Sequence, residues 1–313
     1  MKEFGKRLVG WLSALVLLLP AFSAAPVAAE GIVVQDVRGR TVRIDKPAQR
    51  IVSLSPHATE MLFAAQAGSR IVGTVDFSNH PPAARSIVRV GGYHQLDLEK
   101  IYGLKPDLII AWAGGNARHE VQSLMDLHIP VFVSEPHRVM DILTEIEKIS
   151  QLTGTRERTG PVLDQLARRW SDLKKEPDRH RPIRVFYQLW NAPMMTVNRQ
   201  HIISDLIRQC GGENIFSELP ALIPKIGQEA VIEADPDVII ASGMSQERPE
   251  WLDQWRQWSA LQAVRSKQLF FIPPDLIQRH SPRILEGAQI LCDLLEQVRR
   301  KRAAVQSGNG DSG

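Results

Sequence analysis

Aromatic and polar residues collect where the predicted β-strands of this chain end. Phe77, Asn79 and His80 follow a strand at residues 71–75, and Tyr93 stands in a nearby loop. Trp112 and Asn116 follow the Ile109-Ile110 strand, Trp190 and Met194 follow residues 185–189, and Asp275 and Arg279 follow residues 269–272. In open parallel α/β sheets, ligands bind beyond the carboxyl ends of the strands. The set is aromatic and weakly polar, with one acid and one base. Such a lining suits a large, flat, partly apolar ligand held by stacking and a few amide-type hydrogen bonds. Trp190 and Met194 read equally well as core.

Covalent chemistry finds little support. Ser53 and Ser55 lie near His57, but there is no G-x-S-x-G elbow and no acid placed to orient that imidazole. P-loop, H-E-x-x-H and paired-cysteine metal signatures are missing from the sequence. His57, His80, His94, His119 and His137 all fall in the first half, several in loops. Three of them could form a metal site, which leaves a secreted metal-dependent enzyme as a separate class of reading; scattered surface histidines are the simpler one.

The elements that carry these residues come in two sets. Residues 98–111 read LEKIYGLKPDLIIA and residues 228–241 read QEAVIEADPDVIIA, sharing Glu99 and Glu229, Pro106-Asp107 and Pro236-Asp237, and a closing Ile-Ile-Ala. The offset is constant at about 130 residues, as duplicated units leave it. Each copy predicts a short helix, a Pro turn and a strand apolar on both faces, which belongs in a covered parallel sheet. The strand around Arg50–Leu54 recurs in kind at Arg184–Leu189, and Pro130–Val133 recurs at Leu269–Pro273. Two similar α/β lobes are expected. Residues 139–175 read as helix interrupted at Gly160-Pro161, where a kink or break is expected. One crossing of that length spans roughly 50 Å, enough to bridge two lobes semi-rigidly. Glu99 and Glu229 then sit at equivalent places. They could meet two arginine pockets on a two-fold partner, or simply be solvated.

At 313 residues, 43% hydrophobic and 23% charged, the chain has room for two cores, and a net charge of +3 implies no nucleic-acid partner. Lys2, Lys6 and Arg7 precede an apolar run at residues 8–22, and Val27-Ala28-Ala29 offers a cleavage site before Glu30. This is a cleavable export signal without a lipoprotein cysteine, which places the protein in a periplasm. The apolar run is too short for a membrane helix. Cys210 and Cys292 suit a bridge in an oxidising compartment, or two separate buried thiols. The expected organisation is a signal peptide at 1–29, a first lobe at 30–138, an inter-lobe helix at 139–176, a second lobe at 177–302 and a disordered tail at 303–313.

The stretches RIVSLSPHATEMLFAA from Arg50, HPPAA from His80 and DLEKIYGLKPDLIIAWAGGN from Asp97, with CGGENIF from Cys210 and SPRIL from Ser281, resemble periplasmic vitamin B12 (cobalamin)-binding proteins of ABC importers. The resemblance covers about residues 50–298. It implies the α/β fold of the Fe/B12 periplasmic binding proteins, two Rossmann-like lobes joined by a long rigid helix, and a monomer that binds without catalysis or a resident cofactor. Cobalamin or a related corrinoid would be the transported ligand, and an ABC importer permease dimer with its ATPase subunits the partner. Carried over by position, Phe77, Tyr93 and Trp112 match aromatic ligand contacts, and Asp275 and Arg279 match polar contacts to corrin amides. Glu99 and Glu229 match carboxylates that dock on the permease, and Cys210 and Cys292 match a disulfide. The sequence departs from the family at residues 221–223, where a pocket Trp is replaced, near residues 189–195, and at Leu276, which replaces an aromatic. Loss of second-lobe aromatics leaves a ferric siderophore or haem as alternative ligands.

Overall fold

The computed structural model describes residues 31–174, 182–243 and 246–310. The expected signal segment lies outside them. The chain enters through an antiparallel hairpin, β1 (Ile32–Gln35) and β2 (Thr41–Ile44). The first lobe follows as β3 (Ile51–Ser53), α1 (Pro56–Ala64), β4 (Ile71–Thr74), the short pair β5 (Gly91–Gly92) and β6 (Gln95–Leu96), α2 (Leu98–Gly103), β7 (Leu108–Trp112), α3 (Arg118–Asp126) and β8 (Val131–Ser134). Its sheet has the order β4-β3-β7-β8 with every neighbouring pair parallel.

Two helices lead onward, α4 (Val139–Thr153) and α5 (Arg156–Asp172). The second lobe comprises β9 (Ile183–Gln188), the pair β10 (Trp190–Asn191) and β11 (Met194–Met195), α6 (Ile202–Gln209), β12 (Gly212–Asn214), α7 (Gln228–Ala234), β13 (Val238–Ala241), a 3-10 turn at Glu250–Gln257, α8 (Gln262–Arg265), β14 (Leu269–Phe271), α9 (Pro274–Ile277) and α10 (Ile284–Gly310). Its sheet runs β12-β9-β13-β14, again all parallel. Each echoed sequence pair therefore occupies the equivalent place: β3 with β9, β7 with β13, and β8 with β14.

The repeated Pro-Asp pair does the same work in both lobes. Asp107 accepts from the backbone N–H of Gln49 and Arg50 at 2.8 Å each, and its own N–H donates to the Arg50 carbonyl. Asp237 accepts from the N–H of Arg184 at 2.8 Å while its N–H donates to the Arg184 carbonyl. Each carboxylate thus satisfies donors at the entry of the neighbouring strand and sets its register.

The break in the connecting segment is not at Gly160-Pro161. It falls at Gly154, which takes a left-handed φ of 61° as the C-cap of α4, and Pro161 sits inside a continuous α5. Pro161 lies in the second turn, where its missing N–H removes one intrahelical bond and the remaining turns propagate. A Cβ at Gly154 would stand 2.9 Å from Pro47 Cγ, so both conformation and space favour glycine there. The tail expected to be disordered from residue 303 begins as helix, since α10 runs to Gly310. Ala303 and Ala304 are strong helix formers, and Arg302 pairs with Asp237 at 2.6 Å.

One hydrophobic core runs through both lobes. It includes Ile51, Met61, Ile110 and Phe132 of the first lobe, Ile142, Ile146 and Ile149 of α4, and Tyr187, Leu206, Ile240 and Leu291 of the second. The lobes are therefore joined by packed side chains as well as by the chain itself. Cys210, which caps α6, is bonded to Cys292 on α10 and staples the second lobe.

Candidate functional site

The carboxyl ends of the strands open onto a cavity of about 550 Å³ lined from the first lobe by His57, Phe77, Asn79, Tyr93 and Trp112, and from the second by Asp275, Gln278, Arg279 and His280. All five residues expected to contact a ligand meet there. Trp190 and Met194 do not line it; in the small β10–β11 hairpin Trp190 stands opposite Met195 and Met194 opposite Asn191, and Met194 packs on a second-lobe core. Residues 221–223 and Leu276 also lie off the lining, so among the described residues the second lobe contributes mainly polar groups and no phenyl or indole ring.

Local geometry presents the aromatics. Phe77 is 69% exposed and holds a left-handed φ of 62°, a strained conformation for a bulky side chain. Its carbonyl accepts from Arg279 Nη2 at 3.1 Å and from the N–H of Asn79 at 2.9 Å, which holds the turn. The Trp112 ring folds back over Gly115, where a Cβ would fall 1.9 Å from Cε3 of the indole. Asn116, also at this strand exit, is a support. Its Oδ1 accepts from the Trp112 N–H at 2.7 Å, and its Nδ2 donates to the carbonyls of Leu54 and Tyr93 at 2.8 Å each. One buried amide thereby joins three segments, and the Tyr93 and Trp112 rings stand with centroids 5.5 Å apart.

Arg279 reaches across the cleft. Its guanidinium pairs with Asp275 at 2.7 Å and donates to Asn79 Oδ1 at 2.9 Å and Glu60 Oε1 at 3.1 Å. Glu60, on α1, also accepts from Ser281 Oγ at 2.6 Å and from Arg283 through Nε at 3.0 Å and Nη2 at 2.7 Å. The Glu60 side chain is 3% exposed. Sequence reasoning passed over Glu60 and Arg283, yet there was a signal. A lone acid in the apolar helix Pro56–Ala64 must find a cation when it is buried.

Three buried imidazoles cluster at the cleft: His57 and His280 line it, and His201 packs against His280. Burial lowers His57 and His201 to about 3 and His280 to about 4, with the neighbouring histidines and, at His57, Arg279 adding to the effect. All three are therefore neutral at ordinary pH. His57 has an acid behind it, contrary to the sequence reading: Ser134 Oγ, 3.4 Å from His57 Nε2, donates to Glu145 on α4. Burial pushes Glu145 up to about 7. The arrangement is not a nucleophilic triad, because Ser55 and Ser134 both face the same ring nitrogen and both are fully buried. Among the described residues, no group of three or more His, Cys, Asp or Glu side chains is gathered to hold a metal ion.

Glu99 and Glu229 each stand in the first turn of a short helix, α2 and α7. Both are exposed and neither carboxylate has a hydrogen-bond or ion-pair partner among the described residues. Tyr102 lies beside Glu99 on α2 and is 62% exposed.

Comparison with known proteins places this geometry. A family model described as periplasmic binding protein matches residues 51–276. The vitamin B12-binding protein of Vibrio cholerae is 34% identical over 256 residues, covering 82% of this chain and 92% of that relative. That of Vibrio parahaemolyticus is 32% identical over 261 residues, covering 82% and 93%. The crystal structure of the periplasmic vitamin B12 binding protein of Vibrio cholerae superimposes with a TM-score of 0.73 at 34% identity, covering 81% of this chain and 98% of that one. A periplasmic haem-binding protein from Roseiflexus sp. RS-1 gives a TM-score of 0.70 at 20% identity, covering 80% and 99%, which speaks to the fold alone.

Proposed function

The chain belongs to the periplasmic binding protein family, and from that premise we propose that it captures cobalamin between its lobes and delivers it to an ABC-type importer of the inner membrane. The observation that carries this reading is the convergence of Phe77, Tyr93, Trp112, Asp275 and Arg279 on one cavity of about 550 Å³. Three aromatic surfaces suit the flat faces and edges of a corrin ring. The Asp275–Arg279 pair offers an acceptor and donors to its peripheral amides. Arg279, which donates to Glu60 and Asn79, is held at the cleft by its own network and can turn part of its guanidinium to the ligand.

In this reading residues 1–29 are the leader removed on export, the protein acts in the periplasm as a monomer, and it binds without catalysis. Glu99 and Glu229 dock on cationic pockets of the permease, one carboxylate per lobe. Their pseudo-symmetric helix positions and their exposure support that role. The packed core shared by the lobes favours small movements on binding over wide closure.

Calorimetric titration of the mature chain with cyanocobalamin tests the proposal. Saturable one-to-one heat that weakens on Asp275→Ala or Arg279→Ala is expected. Absence of heat, with no shift in melting temperature, would overturn the cobalamin reading and turn attention to haem and ferric siderophores.

A further inference from the structure

A buried imidazole on the wall of a cleft that takes a metal-centred ligand invites a specific question: whether it touches the metal. We propose that His57 supplies an axial ligand to the cobalt of the bound corrinoid, so that the cleft favours corrinoids with an exchangeable axial position. The inference rests on the cobalamin reading and deepens it.

The geometry around the ring carries the argument. His57 lines the cavity beside Trp112, whose ring it meets nearly edge-on with centroids 5.3 Å apart. Its Nε2 lies 3.4 Å from the hydroxyl oxygens of both Ser55 and Ser134. Ser134 in turn donates to Glu145 Oε2, and Glu145 Oε1 accepts from the backbone N–H of Glu135 at 3.2 Å. Above about pH 7, where Glu145 is ionised, the Ser134 proton is committed to the carboxylate, so the Ser134 oxygen accepts from His57. That makes Nε2 the protonated nitrogen and leaves the lone pair on Nδ1. Nδ1 has no hydrogen-bond partner among the described residues.

This tautomer is what metal coordination needs. Histidines that bind metals characteristically donate their other N–H into a hydrogen-bonded chain ending at a carboxylate or carbonyl, which fixes the ring and raises its basicity. Here the chain runs from His57 through Ser134 to Glu145, which α4 carries in from the segment joining the lobes. Neutral imidazole is a good donor to first-row transition metals. His280 also lines the cavity, but its ring is packed against both His57 and His201 at centroid distances of 6.3 and 5.7 Å. Its ring bonds to the Pro136 backbone, with no carboxylate relay among the described contacts.

Cob(II)inamide tests the inference, because both of its axial positions hold only water or are empty. Electron paramagnetic resonance of its complex with the mature chain should show each cobalt line split into a triplet by one axial nitrogen. Labelling the protein with ¹⁵N-histidine should turn the triplet into a doublet, which needs no substitution and so no assumption about folding. His57→Ala and His57→Gln should each lose the splitting, and His280→Gln should keep it. Wild-type protein should also prefer aquocobinamide over dicyanocobinamide, and that preference should vanish with His57→Ala. A wild-type complex without nitrogen splitting, or splitting that survives both His57 substitutions, would overturn the proposal while cyanocobalamin titration still upheld the cobalamin reading. Failure of every corrinoid to bind would overturn both.

Discussion

Arg283 Nη2 lies 2.7 Å from Glu60 Oε1, joining the loop that follows α9 in the second lobe to the first helix of the first lobe. Arg279 adds a second guanidinium at 3.1 Å, and Asp275 balances the charge at 2.7 Å from Arg279 and 3.9 Å from Arg283. Two acids and two bases thus form a nearly buried, neutral network across the gap between lobes. Taking four charges out of water is costly, and close hydrogen bonding offsets that cost only while every partner is present. The network is therefore cooperative, and two of its members, Asp275 and Arg279, are also cleft residues.

Glu60→Ala should consequently destabilise the protein by about 3–5 kcal/mol, the usual cost of stranding buried charges. Denaturant unfolding followed by circular dichroism measures this. A loss within about 0.5 kcal/mol, the scale of an ordinary surface substitution, would show that the network contributes little.

Gly115→Ala addresses the aromatic wall without touching a ligand-facing side chain. The new methyl group would stand 1.9 Å from the Trp112 ring, which must swing away. Cobalamin affinity should fall about tenfold, equivalent to about 1.4 kcal/mol, as one stacking surface is misplaced. Calorimetry reads the change. Unaltered affinity would place Trp112 outside the contact surface.

Much of this was legible in the amino-acid sequence because it is local. The Pro-Asp turns, the doubly apolar strands and the aromatics at strand ends all announce themselves within a few residues. What was not legible depends on partners far apart along the chain. Glu60 meets Arg279 and Arg283 across 219 and 223 residues, and Ser134 brings Glu145 to His57 only because β8 and α4 pack beside α1. The helix break illustrates the same limit. Proline is the stronger local signal for interruption, but α5 runs through Pro161 with the loss of one intrahelical bond, and Gly154 is required by the turn against Pro47. Trp190 and Met194, readable equally as cleft or core, sit in a short hairpin and are not among the residues lining the cavity.

Exchange of both Glu99 and Glu229 for Ala should abolish cobalamin uptake into vesicles carrying the cognate importer, while cobalamin affinity in solution stays within about twofold. Each carboxylate is exposed, distant in sequence from the cleft residues and free of internal partners among the described residues. Lost affinity would sink the docking role, and so would undiminished uptake.

Acid should weaken the fold through His201. This imidazole caps α6 with Nδ1 accepting from the N–H of Ile203 at 3.2 Å, and burial holds it neutral down to about pH 3. Below pH 6.5 the unfolded chain takes up a proton that the folded chain refuses, so stability falls with decreasing pH. The contribution of this one group is about 1.4 kcal/mol per pH unit between roughly pH 6 and 3. His201→Asn keeps an acceptor at the cap and removes the titration. Unfolding free energies measured from pH 7 to pH 4 should therefore fall less steeply in this variant than in the wild type. Equal slopes would mean that His201 is protonated in the folded state, and that the cap is not what acid breaks.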